Sequence, residues 1–263
     1  MLDWFHSHSN LQVGGIILVF GLLMTTIAPY LVRKRFKLDP SEHTAKGAEE
    51  SFKLFISLTL LLLAFCLVRM QGDHRGTEDM VSREGTVMIK LHRAYDSFGG
   101  ENGAKLQEGL LKYANAVVTD EWPLLAHGNR NEKVNEALAF LARESKQLEP
   151  QTPAQQVARS EIIQSFNQLA DLREARVSAS RLKLPIYYWY AIICSIFFFT
   201  VFAWFQSPLP KLLTYVGGVT CGLCLLMTVL IATAGIFAGE SSVTPEPIEL
   251  AIEQMNKAPK AKL

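Results

Sequence analysis

Four long apolar stretches separate the polar segments of this chain and define its architecture. They cover residues 13–32, 54–68, 186–205 and 212–238, and none contains Asp, Glu, Lys, Arg or His. About 20 helical residues cross a bilayer core, so three of the stretches are long enough as they stand. The second is long enough if its helix runs over about residues 50–69, with an acid at its start and a base at its end. The pattern predicts four transmembrane helices, over about residues 12–32, 50–69, 186–205 and 212–238.

The long segment between the second and third spans has the pattern of a helical bundle. Its apolar residues recur at helical spacing, and its glycines and prolines cluster at three breaks. We expect four helices, of which the first and last continue out of the neighbouring spans. The predicted fold class is an all-α membrane protein. In it, residues 1–69 and 185–240 form two transmembrane hairpins, residues 70–184 form an extramembrane helical bundle, and residues 241–263 form a C-terminal tail.

The basic residues give two opposing indications of orientation. The loop between the first two spans is basic, whereas the N-terminal segment has no Lys or Arg. The positive-inside rule therefore places that loop in the cytoplasm and the bundle outside. The basic residues that flank the bundle favour the reverse; they are Arg69, Arg75, Arg83, Arg173, Arg176, Arg181 and Lys183. The sequence leaves the side of the bundle open.

Composition and motifs exclude several classes of function. A net charge of +1 gives no general basic surface, so nucleic acid is not an expected partner. Ion-coupled transport is disfavoured because the apolar stretches lack ionisable residues. His6 and His8 are too few ligands for a metal site, and no cofactor motif or catalytic constellation is present. We expect no enzymatic activity, no cofactor and no metal.

Small residues mark candidate contacts between helices. Gly218 and Gly222 form a small-xxx-small pair in the fourth span, and Gly14 and Gly21 lie two turns apart in the first. Such positions allow helix backbones to approach closely. The contacts can form within one chain or between subunits.

Two sets of residues on and after the second span are candidates for an ion pathway. Ser57, Thr59 and Phe65 are the pore-lining candidates in a largely hydrophobic constriction. The vestibule candidates lie where the span leaves the membrane; they are Arg69, Arg75, Arg83 and Glu84. Anchoring to lipid headgroups and salt bridging within the bundle are the alternative roles of the second set.

The sequence Glu121-Trp122-Pro123 predicts a structural corner of the bundle. Pro123 is best tolerated in the first turn of a helix, and Trp122 can fix the junction by packing. Glu121 can cap a helix or form an ion pair.

Several short motifs together resemble the bestrophin-like family of bacterial membrane proteins. They are Glu84-Gly85-Thr86, Leu110 with Tyr113, Val117-Val118, Glu121-Trp122-Pro123, Phe237-Ala238-Gly239, and the segment from Val243 to Pro247. The resemblance extends from about residue 54 to residue 255, and Glu-Trp-Pro is its most specific element. The chain departs from the family at Ala234, Gly235 and Ile236, near the position where members typically carry an acid before a Pro-Phe pair.

The resemblance implies kinship with bestrophins, which are pentameric anion channels with four membrane helices per subunit and a cytosolic helical region. It implies an oligomeric ion channel that conducts anions in a cell membrane, the bacterial inner membrane. The implied partners are the lipid bilayer, further copies of the chain in a pentamer, and inorganic anions. The alternative is a noncatalytic membrane-anchored interaction or sensor protein, whose spans only anchor and oligomerise it.

Overall fold

The described part of the chain is helical and contains no strand. The computed structural model describes residues 9–36, 41–182, 184–205, 212–239 and 241–257. Three π-helical segments, π1 to π3, interrupt or precede the α-helices. The elements are α1 (Asn10–Leu22), π1 (Leu23–Ile27), α2 (Ala28–Phe36), α3 (Glu42–Phe98), α4 (Gly100–Ala116), π2 (Val117–Glu121), α5 (Trp122–Leu125), α6 (Glu132–Lys146), α7 (Pro153–Ala179), α8 (Ile186–Trp204), π3 (Leu212–Val216), α9 (Gly217–Thr233) and α10 (Glu246–Lys257).

In the described part of the chain, four helical stretches are long and apolar enough to cross a membrane, as the sequence predicts. They are Leu11–Phe36, Glu42–Phe98, Ile186–Trp204 and Thr214–Thr233. The fourth helix ends at Thr233, earlier than the expected boundary at residue 238. Residues 234–239 stay mainly apolar but form turns, which end at Gly239 with a positive φ of 88°. Apolar composition therefore overestimates the length of this helix.

The chain divides into two compact units, which we call the membrane unit and the bundle. The membrane unit comprises Met1–Asp73 and Lys183–Ser242, and the bundle comprises His74–Leu182 and Val243–Leu263. Helix α3 runs without interruption from the apolar stretch of the first unit into the second. On the other side, α7 ends at Ala179 and α8 begins at Ile186, so the expected continuity of the last bundle helix with the third span is wrong. Pro185 is the N-cap of α8, and its lack of a backbone N–H favours a break there.

Helices α1 and α9 pack closely along a seam in the membrane unit. A Cβ atom on Gly21 would lie 2.7 Å from the Sγ atom of Cys224, and one on Gly14 would lie 3.0 Å from the Thr228 side chain. Further along the seam, the hydroxyls of Thr25 and Thr220 form a buried 2.9 Å hydrogen bond. Small residues and interhelical hydrogen bonds are the usual means of helix association in membranes.

Aromatic packing joins the second and third spans. Phe52 stacks on Phe199 with ring centroids 4.8 Å apart, and Phe55 stacks on Phe198 at 5.1 Å. These pairs continue into an apolar core whose buried members include Leu63, Cys66 and Ile192. One face of α3 is therefore fixed inside the membrane unit, which determines which face stays exposed.

The bundle combines the second half of α3 with α4, α6 and α7. The chain reverses between α3 and α4 at Gly99 and Gly100, which both have positive φ angles, of 70° and 65°. A Cβ atom on Gly103 would lie 2.5 Å from the carbonyl oxygen of Tyr95, so glycine permits the two helices to approach closely after the turn. Helix α10 then packs on the bundle through Ile248, Ala251 and Met255, which are buried. The expected C-terminal tail thus begins with an ordered helix of three turns.

Candidate functional site

One face of α3 in the membrane unit is exposed and almost entirely apolar. We call it the span-2 face; its members are Leu54, Ser57, Leu58, Leu61, Phe65 and Val68. Apart from the adjacent Ser57 and Leu58, they recur every three or four residues, which places them on one side of the helix. The side chain of Phe65 is 64% exposed and that of Val68 is 69% exposed.

The three pore-lining candidates divide between the two sides of α3. Ser57 and Phe65 lie on the span-2 face, although the Ser57 hydroxyl donates a 3.0 Å hydrogen bond to the carbonyl oxygen of Lys53. Thr59 is fully buried, and its hydroxyl donates to the carbonyl oxygen of Phe55 at 2.6 Å. The expectation that Thr59 lines a pore is wrong, because its side chain faces the interior of the membrane unit.

The vestibule candidates also occupy different environments. In the membrane unit, the exposed Arg69 places its guanidinium carbon 5.7 Å from the centroid of the Tyr188 ring. In the bundle, Arg75 is exposed, and Arg83 forms a 2.7 Å ion pair with Asp79 at the surface. Glu84 has no exposed surface, so the expectation that it faces a vestibule is wrong.

Glu84 instead belongs to a buried network of four charged side chains, which we call the ion quartet. Its members are Glu84 of α3, Glu121 of π2, and Arg173 and Arg176 of α7. Arg176 donates from Nε to Glu84 at 2.7 Å and from Nη2 to both Glu84 and Glu121, at 3.2 Å and 3.0 Å. Arg173 donates from Nη2 to Glu121 at 2.6 Å.

Neighbouring helices contribute further contacts to the quartet. Arg173 also donates from Nη2 to the side-chain oxygen of Asn135 on α6, at 2.7 Å. The guanidinium carbon of Arg176 lies 5.4 Å from the centroid of the Trp122 ring, within the range of a cation–π interaction. Pro123 lies in the first turn of α5, two residues after Glu121. The Glu-Trp-Pro element thus places one carboxylate and one aromatic ring against the same arginine.

The charges of the quartet balance, and the two arginines favour the ionised form of the Glu121 carboxyl group. Burial alone would raise the pKa of Glu121, but the hydrogen bonds and positive charges of Arg173 and Arg176 outweigh burial and lower that pKa below its usual value. Burial likewise would lower the pKa of Arg176, but Glu84 raises it. Two carboxylates and two guanidinium groups that compensate each other suit a structural junction. The lowered pKa of Glu121 is the opposite of the raised carboxyl pKa typical of a buried proton donor.

The prediction from sequence treats Arg173 and Arg176 only as basic residues that flank the bundle, and it does not include their burial. A signal for them exists, since Ile162, Leu169, Arg173 and Arg176 all lie on the buried stripe of α7. An arginine in an apolar stripe must find an acid inside the core. The sequence alone does not specify which acid that is.

The glycine candidates of the first and fourth spans differ in their surroundings. Gly14 and Gly21 lie in the seam between α1 and α9. Gly218 and Gly222 are exposed on α9, and among the described residues no atom lies within 4 Å of a Cβ built on either one. Among the described residues, packing within the chain therefore has no support for this pair, and contact between subunits stays a prediction.

Metal binding has no support in the described part of the chain. No group of three or more His, Cys, Asp or Glu side chains there can hold a metal ion. His6 and His8 lie outside the described residues.

The fold defines a helical multi-pass membrane protein that combines four apolar spans with a helical bundle. The sequence pattern of the Bestrophin-like domain matches residues 19–248. The chain therefore belongs to the bestrophin-like family.

A crystal structure described as that of a membrane protein has a similar fold. Its TM-score with this chain is 0.66 at 12% sequence identity, and the match covers 93% of this chain and 98% of that one. No protein with a curated description matches the sequence. The structural likeness extends to the fold alone.

Proposed function

We propose that the protein is an oligomeric ion channel that conducts anions. In this proposal, copies of the span-2 face surround the passage and form a hydrophobic constriction. Membership of the bestrophin-like family supports the proposal through its kinship with pentameric anion channels, and a pentamer is the assembly that this kinship favours. The proposed location is the bacterial inner membrane.

The observation that carries the proposal is the division of α3 into a packed and an exposed face. Thr59, Leu63 and Cys66 are buried within the membrane unit, whereas Leu58, Leu61 and Phe65 are exposed. A passage lined by such residues can close by excluding water and needs no charged group inside the membrane.

Two further features are consistent with an assembly that passes anions. Gly218 and Gly222 leave open space on α9, where a helix of a neighbouring subunit can approach closely. Arg69 and Arg75 stay exposed along α3 beyond the apolar part of the span-2 face. Basic side chains around a pathway favour anions.

The proposed arrangement of the chain in the bilayer is two transmembrane hairpins with the bundle between them in sequence. The boundaries of the two compact units, at residues 73 and 183, support this order. The C-terminal segment after residue 242 belongs to the bundle and not to the second hairpin.

Halide flux through proteoliposomes tests the channel directly. We expect flux that depends on the protein, and a several-fold increase when Phe65→Ala widens the constriction. Phe197→Ala is the matched control, because Phe197 is similarly exposed, at 61% against 64%, but lies on the third span. A flux assay with a halide-sensitive dye inside the vesicles gives all three rates.

The same assay includes variants of the α9 glycines. Gly218→Leu combined with Gly222→Leu should abolish flux and reduce oligomer size, whereas Gly15→Leu, at an exposed glycine of α1 with similar open space, should change neither. If neither anions nor cations pass at any pH or calcium concentration, the channel proposal is wrong. The membrane-anchored interaction or sensor protein is then the better hypothesis.

A further inference from the structure

Two polar groups beside the ion quartet have no hydrogen-bond partner among the described residues. They are the Nη1 atom of Arg176 and the hydroxyl of Tyr113, and both side chains are fully buried. Buried polar groups in native proteins are nearly always paired, with protein atoms or with ordered water. The two groups therefore require an explanation.

The bonds of Arg176 leave one edge of its guanidinium group unused. Nε and Nη2 supply three N–H donors, which bond to Glu84 and Glu121. The two N–H donors of Nη1 remain. The guanidinium group also makes a cation–π interaction with the Trp122 ring. This interaction does not supply hydrogen-bond acceptors to the N–H donors at the edge of the group.

The Tyr113 hydroxyl lies in the electrostatic field of the same quartet. Burial raises the pKa of Tyr113, and the negative charge of Glu84 raises it further, so the hydroxyl stays protonated. Arg176 lowers the pKa of Tyr113 and Tyr113 raises that of Arg176, as expected of two buried groups in one region of the core. A protonated hydroxyl offers one donor and can also accept.

We propose that Tyr113 and Arg176 bind one water molecule inside the bundle. The water accepts a hydrogen bond from Nη1 of Arg176 and exchanges a second with the Tyr113 hydroxyl. Two to four polar partners are typical of a buried water. The water links α4 to α7, which the direct bonds of the quartet do not join.

The charge balance of the quartet selects water over a small anion. Two glutamates already neutralise two arginines, so a halide at Nη1 would be a buried charge without compensation. A metal cation is also unsuitable, because Nη1 offers only N–H donors. A neutral acceptor of small size remains.

A structure of the intact protein at about 2 Å resolution tests the proposal. We expect one density peak within about 3 Å of both the Nη1 atom of Arg176 and the Tyr113 hydroxyl, a normal hydrogen-bond distance. Crystals soaked in bromide should show no anomalous signal at that peak. An absent peak between well-ordered side chains would overturn the proposal, and so would a bromide signal there.

A matched pair of tyrosine variants extends the test. Tyr113→Phe should lose the peak and retain the bonds between Arg176 and Glu84. Tyr95→Phe is the control, because the Tyr95 hydroxyl is buried but already paired with Ser145 at 3.1 Å; this variant should keep the peak. A peak that persists in Tyr113→Phe contradicts the role of Tyr113, and the wild-type density decides the question of the water if that variant does not fold. The outcome is independent of ion conduction.

Discussion

Arg176 connects three segments of the bundle through one side chain. It bonds to Glu84 of α3 and Glu121 of π2 from its own position on α7, and it has no exposed surface. A buried ion pair gives little net stability compared with apolar packing, but removal of one partner leaves a buried charge uncompensated. The specificity of the helix arrangement is a known benefit of such groups in some proteins.

Arg176→Met should strongly destabilise the bundle. The substitution leaves Glu84 without its arginine and Glu121 with one arginine in place of two, at an expected cost of about 3–5 kcal/mol. Arg83→Met is the matched control, because Arg83 is a surface residue whose side chain is 70% exposed and whose pair with Asp79 contributes little. Thermal unfolding in detergent, followed by near-ultraviolet circular dichroism, should show a much lower Tm for Arg176→Met. Equal Tm values for the two variants would contradict the structural role of the quartet.

Wild type and Arg176→Met should differ in how their stability responds to acid. The folded-state pKa of Glu121 lies below the ordinary value of 4.5, so its contribution to stability is present above that pH and is lost as the pH falls through the folded pKa. The Tm difference between wild type and Arg176→Met should therefore narrow at acidic pH, below about 4.5.

At the residue scale, the sequence predicts some partners better than others. For Glu121 the sequence predicts a capping or ion-pair role, because this residue directly precedes the helix that begins at Trp122. The sequence prediction places Glu84 in the wrong environment. Proximity to a span in sequence does not determine which side of a helix faces solvent. Glu84 belongs to the apolar stripe that contains Val81 and Met88, which are both buried. Membership of that stripe predicts the burial of Glu84 better than its distance from the span in sequence does.

At the scale of elements, α10 depends on one glycine of α3. A Cβ atom on Gly85 would lie 2.6 Å from the carbonyl oxygen of Pro247 and 3.6 Å from the side chain of Ala251. A backbone oxygen cannot move aside as the end of a flexible side chain can. Glycine at position 85 therefore permits the first turn of α10 to contact α3 directly.

Gly85→Ala should release α10 from the bundle or displace it. The added methyl group collides with the backbone of Pro247. This collision costs more free energy than alanine gains over glycine in helix propensity. Hydrogen exchange followed by mass spectrometry should show faster exchange of residues 246–257. Gly76→Ala is the control, since a Cβ atom at Gly76 meets no described atom within 4 Å, and it should leave the exchange of α10 unchanged. Unchanged exchange in Gly85→Ala would show that α10 docks without this contact.

The element scale is where the sequence performs best. Helical periodicity and the glycine and proline breaks predict α4, α6 and α7, and apolar runs predict the four spans. The π-helical segments escape prediction, because a single extra residue in a turn does not change the periodicity enough to be seen. The early end of α9 also escapes, since an apolar run indicates the environment of a segment and not its backbone conformation.

At the scale of the whole molecule, the proposed hairpin arrangement places the loop after α2 and the bundle on opposite sides of the bilayer. Lys46, near the start of α3, and Val157, in α7, report on the two sides, because both side chains are well exposed. The native cysteines all lie within apolar stretches, so they give a low background for a water-soluble thiol reagent.

Lys46→Cys and Val157→Cys should show opposite labelling in intact cells. A membrane-impermeant maleimide should label one of the two variants and reach the other only after the cells are permeabilised. Kinship with bestrophins predicts that Val157→Cys is the protected one, whereas the basic loop predicts the reverse. Labelling of both variants in intact cells, or of neither, would contradict an odd number of crossings between the two positions.

The seam between α1 and α9 imposes an order on the biogenesis of the protein. About 200 residues separate Gly14 from its partner Thr228 in the chain. At about 5–20 residues per second, a ribosome takes roughly 10–40 s to synthesise the intervening segment. The first span must therefore remain in the bilayer without its α9 partner during that interval. Helix α10 follows later still, so translation that stops early yields a chain in which both units are incomplete, and membrane quality control has a defect to recognise.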